Sequence, residues 1–267
     1  MAKRKKQQYI DFPFYEYLQF FYRENRTKIR RSYNSLTKRF LDYNDPDKRI
    51  EAFLRRPQFE ALETYVFLKE FLGNKHLYQI FEAWYQKQAP FEGRSEAGIN
   101  QKTGQVGLFG PIEMYAEETK ETYEQIFKQI KAFQQAYPNF IFALTMGLGK
   151  TILMATSIFY EFLLANKYPK DERYCHNALV FAPDKTVLQS LKEIQTFDKS
   201  LVVPKQNLNW LEAHLKFYFL DKTGDALNAI DRSAYNIVIS NAQKIILKRS
   251  HKEPSPSELL FKNMSDN

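Results

Sequence analysis

The stretch Thr145-Met146-Gly147-Leu148-Gly149-Lys150-Thr151 constrains this chain more than any other. It follows the apolar run Phe140–Leu144, which has the length of a buried strand. It precedes a helical pattern over Thr151–Ala165. A glycine-rich turn between strand and helix lets the backbone approach an anion with no Cβ in the way. The N–H groups at the helix start point at that anion, and the helix dipole favours its charge. Lys150 is placed to reach terminal phosphates, and Thr151 to offer a hydroxyl to Mg²⁺. The pattern thus predicts a phosphate-binding loop over residues 145–151. The alternative is a glycine-rich turn that carries a lysine by chance. The full pattern also places glycine or alanine five residues before Gly149, where Leu144 stands instead. A bulkier residue there alters the loop's width, which bears on hydrolysis more than on phosphate binding.

The rest of the C-terminal half has the texture that such a loop requires. Ala178–Ala182, Leu215–Leu220 and Ile237–Ile239 read as short strands. Between the first two lies a helical pattern through Val187, Leu191 and Ile194. Short buried strands alternating with helices predict an α/β fold with a parallel sheet. Upstream the pattern is helical. Phe14, Leu18, Phe21, Ile29, Tyr33, Leu36 and Phe40 recur at helical spacing. Asn44-Asp45-Pro46-Asp47 reads as a turn, with Asp47 expected to cap a short helix after it. Pro57 opens a helix that Gly73 ends, and a further helix runs through Leu77, Ile80, Phe81 and Trp84. Five of the nine glycines fall between residues 93 and 110, which reads as a loop. A helix over Glu113–Ala136 then stops before Pro138. The expected organisation is a disordered basic tail (1–12), a helical region (13–90), a glycine-rich loop (91–112) and an incomplete nucleotide-binding domain (113–267).

Charge sharpens this division. The net charge is +8, and residues 1–56 hold 15 Lys/Arg against 7 Asp/Glu, so the whole excess is N-terminal. Basic residues interleaved with aromatics suit a phosphate backbone and stacked bases. A solvated helix face with a basic tail is the alternative. No run approaches eighteen apolar residues, so no membrane span is expected. Lys3, Arg4, Lys5 and Lys6 are not followed by an apolar core, which argues against a secretory signal. Cys175 is the sole cysteine and is expected to be buried and inert; the four histidines lack ligand spacing. A reducing, cytoplasmic setting fits these features.

Several segments, taken in chain order, resemble helicase superfamily 2 (DEAD/DEAH-like). The likeness is closest to the ATPase module of type III restriction enzyme res subunits. It covers residues of about 55–250, interrupted over 73–138. Beyond the glycine loop, Arg55-Arg56-Pro57-Gln58 with Phe59-Glu60-Ala61 is similar to the adenine-reading Q motif. A glutamine amide offers a donor and an acceptor to the N7 and N6 of adenine; the alternative for Gln58 is an ordinary solvent glutamine at a helix start. Phe181-Ala182-Pro183-Asp184-Lys185-Thr186-Val187-Leu188-Gln189 resembles motif Ia, and Ile237-Val238-Ile239-Ser240-Asn241-Ala242-Gln243-Lys244 resembles a later strand-end motif. The resemblance implies a P-loop NTPase (RecA-like) sheet. It implies ATP with Mg²⁺ at residues 145–151 and Gln58, with Thr151 on the metal. It implies DNA, or alternatively RNA, at Pro183, Lys185, Ser240 and Asn241. A plain strand-to-helix connection is the alternative for the Pro183–Lys185 turn.

One part of the family pattern is missing. The family carries an Asp-Glu pair at a strand end, where Asp holds Mg²⁺ and Glu activates water. Here the one adjacent pair is Asp171-Glu172, in a polar segment after Pro169. No catalytic residue is therefore assigned. The sequence reads as the front part of a motor that stops before that pair, either a split-gene product whose remaining motor domain is a separate chain or a truncated gene. Three functions follow. The first is the ATP-binding part of a DNA helicase or translocase. The second is a nucleotide- and nucleic-acid-binding module without turnover of its own. The third is an unrelated P-loop NTPase.

Overall fold

The computed structural model describes residues 14–92, 116–145, 147–182, 185–220 and 234–241. The chain divides into two compact units. One comprises Met1–Leu41 with Phe59–Thr145, and the other Asp42–Gln58 with Met146–Asn267.

The first unit is helical. Its elements are α1 (Phe14–Ser32), the start of α2 (Ser35–Asn44), most of α3 (Arg56–Val66), a π-turn (Phe67–Phe71), α4 (Leu77–Tyr85) and α5 (Ala116–Ala132). The helical spacing read along α1 puts Phe14, Leu18, Phe21 and Ile29 on one buried face. That face meets aromatic partners: Phe14 lies edge-on to Phe81 at 5.1 Å, and Phe21 lies 4.8 Å from Phe91. Burying each such side chain contributes about 1.5–3 kcal/mol. Tyr85 stacks on Tyr123 at 4.0 Å and joins α4 to α5. Glu63 is buried in this unit and takes Arg26 at 2.9 Å and Arg30 at 3.0 Å, so its charge is compensated. Asn34 caps α2, its Oδ1 accepting from the backbone N–H groups of Leu36 and Thr37.

Two expectations in this half change. Asp47 does not cap a helix, because none follows: residues 45–55 form turns. Asp45 organises them, its Oδ1 accepting from the Asp47 N–H at 3.0 Å. The run Phe140–Leu144 is not a strand. Residues 138–145 have no regular secondary structure, and Ile141 is fully exposed. A strand needs a neighbour to bond with. Among the described strands the pairings are β1 with β3 and β2 with β3, so none pairs with this run.

The second unit carries the sheet. Its elements are α6 (Lys150–Lys167), β1 (Asn177–Ala182), α7 (Lys185–Thr196), a 3₁₀ turn (Lys199–Leu201), α8 (Lys205–His214), β2 (Leu215–Leu220) and β3 (Tyr235–Asn241). The three strands are parallel in the order β1-β3-β2. The central strand is buried from Tyr235 to Ser240, as expected of a parallel strand covered on both faces. On β1, Val180 and Ala182 are buried, whereas Leu179 and Phe181 are exposed. α6 buries Phe159, Tyr160, Phe162, Leu163 and Leu164, and the Phe162 ring lies 5.4 Å from Tyr235 of β3. The segment Asp42–Gln58 is anchored to this unit by side chains. Tyr43 donates to the Ser200 carbonyl at 2.6 Å, Asn44 to the Val202 carbonyl at 2.9 Å, and Phe53 lies 5.6 Å from Phe197. The expected α/β fold with a parallel sheet and a helical N-terminal region is what the structure has.

Candidate functional site

The glycine loop leads into the N-terminus of α6. Gly149 is the N-cap, with φ +61°, and Gly147 has φ +77°. Both values lie where an L-residue is strained and glycine is not. As N-cap, Gly149 has no side chain to offer the first turn. The dipole of this helix is not offset there by a capping oxygen. The helix axis is fixed by the buried face of α6, so the direction of its N-terminus is set by core packing.

Lys150 and Thr151 are the first two residues of α6, Lys150 exposed and Thr151 half-buried. A Cβ added at Gly147 would meet nothing within 4 Å, so the loop has open space on that side. These residues fit a polyphosphate with its metal: bare backbone, a helix N-terminus, one cation and one hydroxyl. Among the described residues no group of three or more His, Cys, Asp or Glu could hold a metal. A Mg²⁺ here would take the Thr151 hydroxyl and the phosphate oxygens, in keeping with its preference for few protein ligands. Thr145 precedes the loop without regular structure, Leu148 is half-buried within it, and Met146 lies outside the described residues.

The structure also brings Gln58 to this loop. Gln58 lies in the first turn of α3 and is buried. Its Oε1 accepts from the Arg55 N–H at 2.9 Å, a bond that caps the start of the helix. Its Nε2 donates to the Gly149 carbonyl at 3.3 Å, across 91 residues of sequence. An N–H can only donate and a carbonyl can only accept, so these two partners fix which way the amide points. The contact left no mark in the sequence beyond the motif itself.

The strand-end residues gather at one edge of the sheet. Phe181 pairs with Ser240 and Ala182 with Asn241, so β1 and β3 end side by side. Lys185 opens α7 just beyond β1, and only its backbone and that of Asn241 are described. Pro183 lies outside the described residues. Carboxyl ends of parallel strands are where open α/β sheets place their ligands. Ser240 is buried.

Asp171 and Glu172 lie in the exposed segment between α6 and β1. Asp171 is paired with Arg173 at 2.6 Å. Cys175, expected to be buried, is exposed in the same segment, because those residues form turns outside the sheet. No helix among the described residues is long and apolar enough to cross a membrane.

Comparison with known proteins adds one finding. A family model described as type III restriction enzyme, res subunit, matches residues 114–261. No curated protein and no solved structure gives a match. The matched stretch includes the glycine loop, α6 and all three strands. Gln58 lies before it.

Proposed function

Since the chain belongs to the type III restriction enzyme res-subunit family of helicase superfamily 2 ATPases, we propose that residues 145–151 bind the triphosphate of ATP with Mg²⁺ in a DNA helicase or translocase. The observation that carries this reading is the glycine loop at the N-terminus of α6. Two positive-φ glycines are followed at once by Lys150 and Thr151. Lys150 supplies charge to the outer phosphates, Thr151 ligates Mg²⁺, and the loop's backbone N–H groups take phosphate oxygens. Gln58 reads adenine: its amide keeps one Nε2 hydrogen and one Oε1 lone pair beyond the two bonds it makes.

DNA, with RNA as the alternative, runs past the carboxyl ends of β1 and β3, near Pro183, Lys185, Ser240 and Asn241. The basic N-terminal 56 residues add phosphate contacts. We place the protein in the cytoplasm. Domain boundaries follow the sequence: a basic tail (1–12), a helical region (13–90), a glycine-rich segment (91–112) and the ATP-binding domain from 113.

A second reading is favoured by one observation, the pairing of Asp171 with Arg173. On it, these 267 residues bind nucleotide and nucleic acid but do not turn ATP over alone. The groups that orient water would then come from outside these residues. The first test is calorimetric titration of ATP·Mg²⁺ into the wild type and Lys150→Ala. Loss of most of the affinity is expected in the variant. Equal affinities would remove the phosphate-loop reading.

A further inference from the structure

We infer that Gln58 is a positioning residue for the phosphate loop itself, holding the Gly149 peptide so that its neighbouring N–H faces the anion. The inference rests on the reading of residues 145–151 as a phosphate site and goes beyond the base contact proposed above. The geometry begins with the Gly149 carbonyl. It accepts from the Leu153 N–H at 3.1 Å, the first bond of α6, and from Gln58 Nε2 at 3.3 Å. Across a trans peptide, the carbonyl oxygen and the next N–H point to opposite sides. Holding the Gly149 oxygen from two donors therefore aims the Lys150 N–H outward from the helix start, where an anion would sit.

Glycine most needs such an anchor, because it has the widest conformational choice of any residue. Gly149 has φ +61°, and without Gln58 its carbonyl would keep only the Leu153 bond. The fit is also close, so that a side chain at this position would displace the Gln58 amide. A Cβ at Gly149 would lie 2.7 Å from Gln58 Nε2, below contact distance. The amide is itself held: it is buried, and the Arg55 N–H fixes its oxygen. Gln58 is thus a rigid strut between the start of α3 and the start of α6. One amide touching both base and loop would also make adenine binding tighten the phosphate site.

The consequence is that Gln58 matters to ligands that have no base. A residue that only reads adenine affects ATP and leaves other phosphates alone. The test measures binding of ATP, GTP and inorganic tripolyphosphate, each with Mg²⁺, to the wild type, Gln58→Ala, Gln58→Glu and Lys150→Ala. Gln58→Glu keeps an oxygen for the Arg55 N–H but puts a second one against the Gly149 carbonyl, so it breaks the strut and spares the cap. All titrations are run well below each variant's melting temperature, so that a stability loss alone leaves affinity unmoved. Both Gln58 variants are expected to weaken tripolyphosphate and GTP by about two- to tenfold, the worth of one hydrogen bond. ATP should weaken by more, because its adenine is also no longer held. Unchanged tripolyphosphate and GTP affinities with a loss confined to ATP would overturn the inference and leave the phosphate loop standing. Failure of Lys150→Ala to weaken any of the three would instead overturn the phosphate-loop reading, and this inference with it.

Discussion

The Asp171 carboxylate is held by the Arg173 guanidinium two residues along the chain, with Nη2 2.6 Å from Oδ2. Arg173 Nε also donates to Asp171 Oδ1 at 2.9 Å, so the pair is two-pronged. This places the sequence's one adjacent Asp-Glu pair in a surface turn with its acid engaged locally. A strand-end pair that serves a metal and a water would sit at the carboxyl edge of the sheet, where β1 and β3 finish at Ala182 and Asn241.

The N-terminal charge makes a prediction about salt. If the first 56 residues contact nucleic acid, binding releases counterions and falls steeply with salt. Deleting residues 1–12 removes Lys3, Arg4, Lys5 and Lys6. The slope of log K against log salt should then flatten by about 0.7–0.9 for each phosphate that the shortened chain no longer neutralises. Fluorescence anisotropy on a short DNA at several salt concentrations reads this directly. An unchanged slope would show the tail to be merely solvated.

Tyr33 makes a prediction about alkaline stability. Its hydroxyl is buried with no hydrogen-bond partner. Burial, with the nearby Glu70 and Glu63 carboxylates, holds its pKa well above the ordinary tyrosine value. A raised folded pKa contributes stability that is complete below the unfolded value of about 10. That contribution is lost as pH rises above it, because the unfolded chain releases a proton that the native state retains. Tyr33→Phe removes both the unpaired hydroxyl and the titration. Its unfolding free energy from urea titration at pH 7 should stay within about 1 kcal/mol of the wild type's, or rise. Its loss of stability between pH 7 and pH 10.5 should be smaller than the wild type's. A steeper alkaline loss in the variant, or a large loss at pH 7, would mean that the hydroxyl is satisfied after all.

What the sequence revealed, and what it hid, divides by range. The buried face of α1, the cap-like turn before α2 and the three strands were readable because spacing and turn chemistry are local. The glycine loop was readable because the strain at Gly147 and Gly149 restricts residue type. Phe140–Leu144 misled because an apolar run says nothing of whether a neighbouring strand is there to bond with it. Asp47 misled because Asp45, two residues earlier, takes the turn's amide. The strut from Gln58 to Gly149 joins positions 91 residues apart, and no periodicity records such a contact. Its existence follows from the fold that brings α3 and α6 together at their N-terminal ends.

The last prediction concerns turnover. Phosphoryl transfer needs a positioned Mg²⁺, an oriented water and positive charge on the transition state. On the function proposed above, the glycine loop would offer the phosphate cradle, Lys150 one charge and Thr151 one metal ligand. Asp171, the nearest thing to a family acid, is committed to Arg173 and lies in an exposed turn. No arginine finger is recognisable in the sequence, and such a finger is worth about 10³–10⁵ in rate. This chain alone should therefore bind ATP well and hydrolyse it far below about 1 s⁻¹, the low end of ordinary enzyme turnover. Single-turnover hydrolysis of labelled ATP, with Lys150→Ala as the control for contaminating ATPase, measures it. Asp171→Asn should leave the slow rate unchanged, since the carboxylate is not poised for chemistry. Lys150-dependent turnover of about 1 s⁻¹ or faster, abolished by Asp171→Asn, would show that the Arg173 pair opens in the nucleotide complex and that the acid works from this turn.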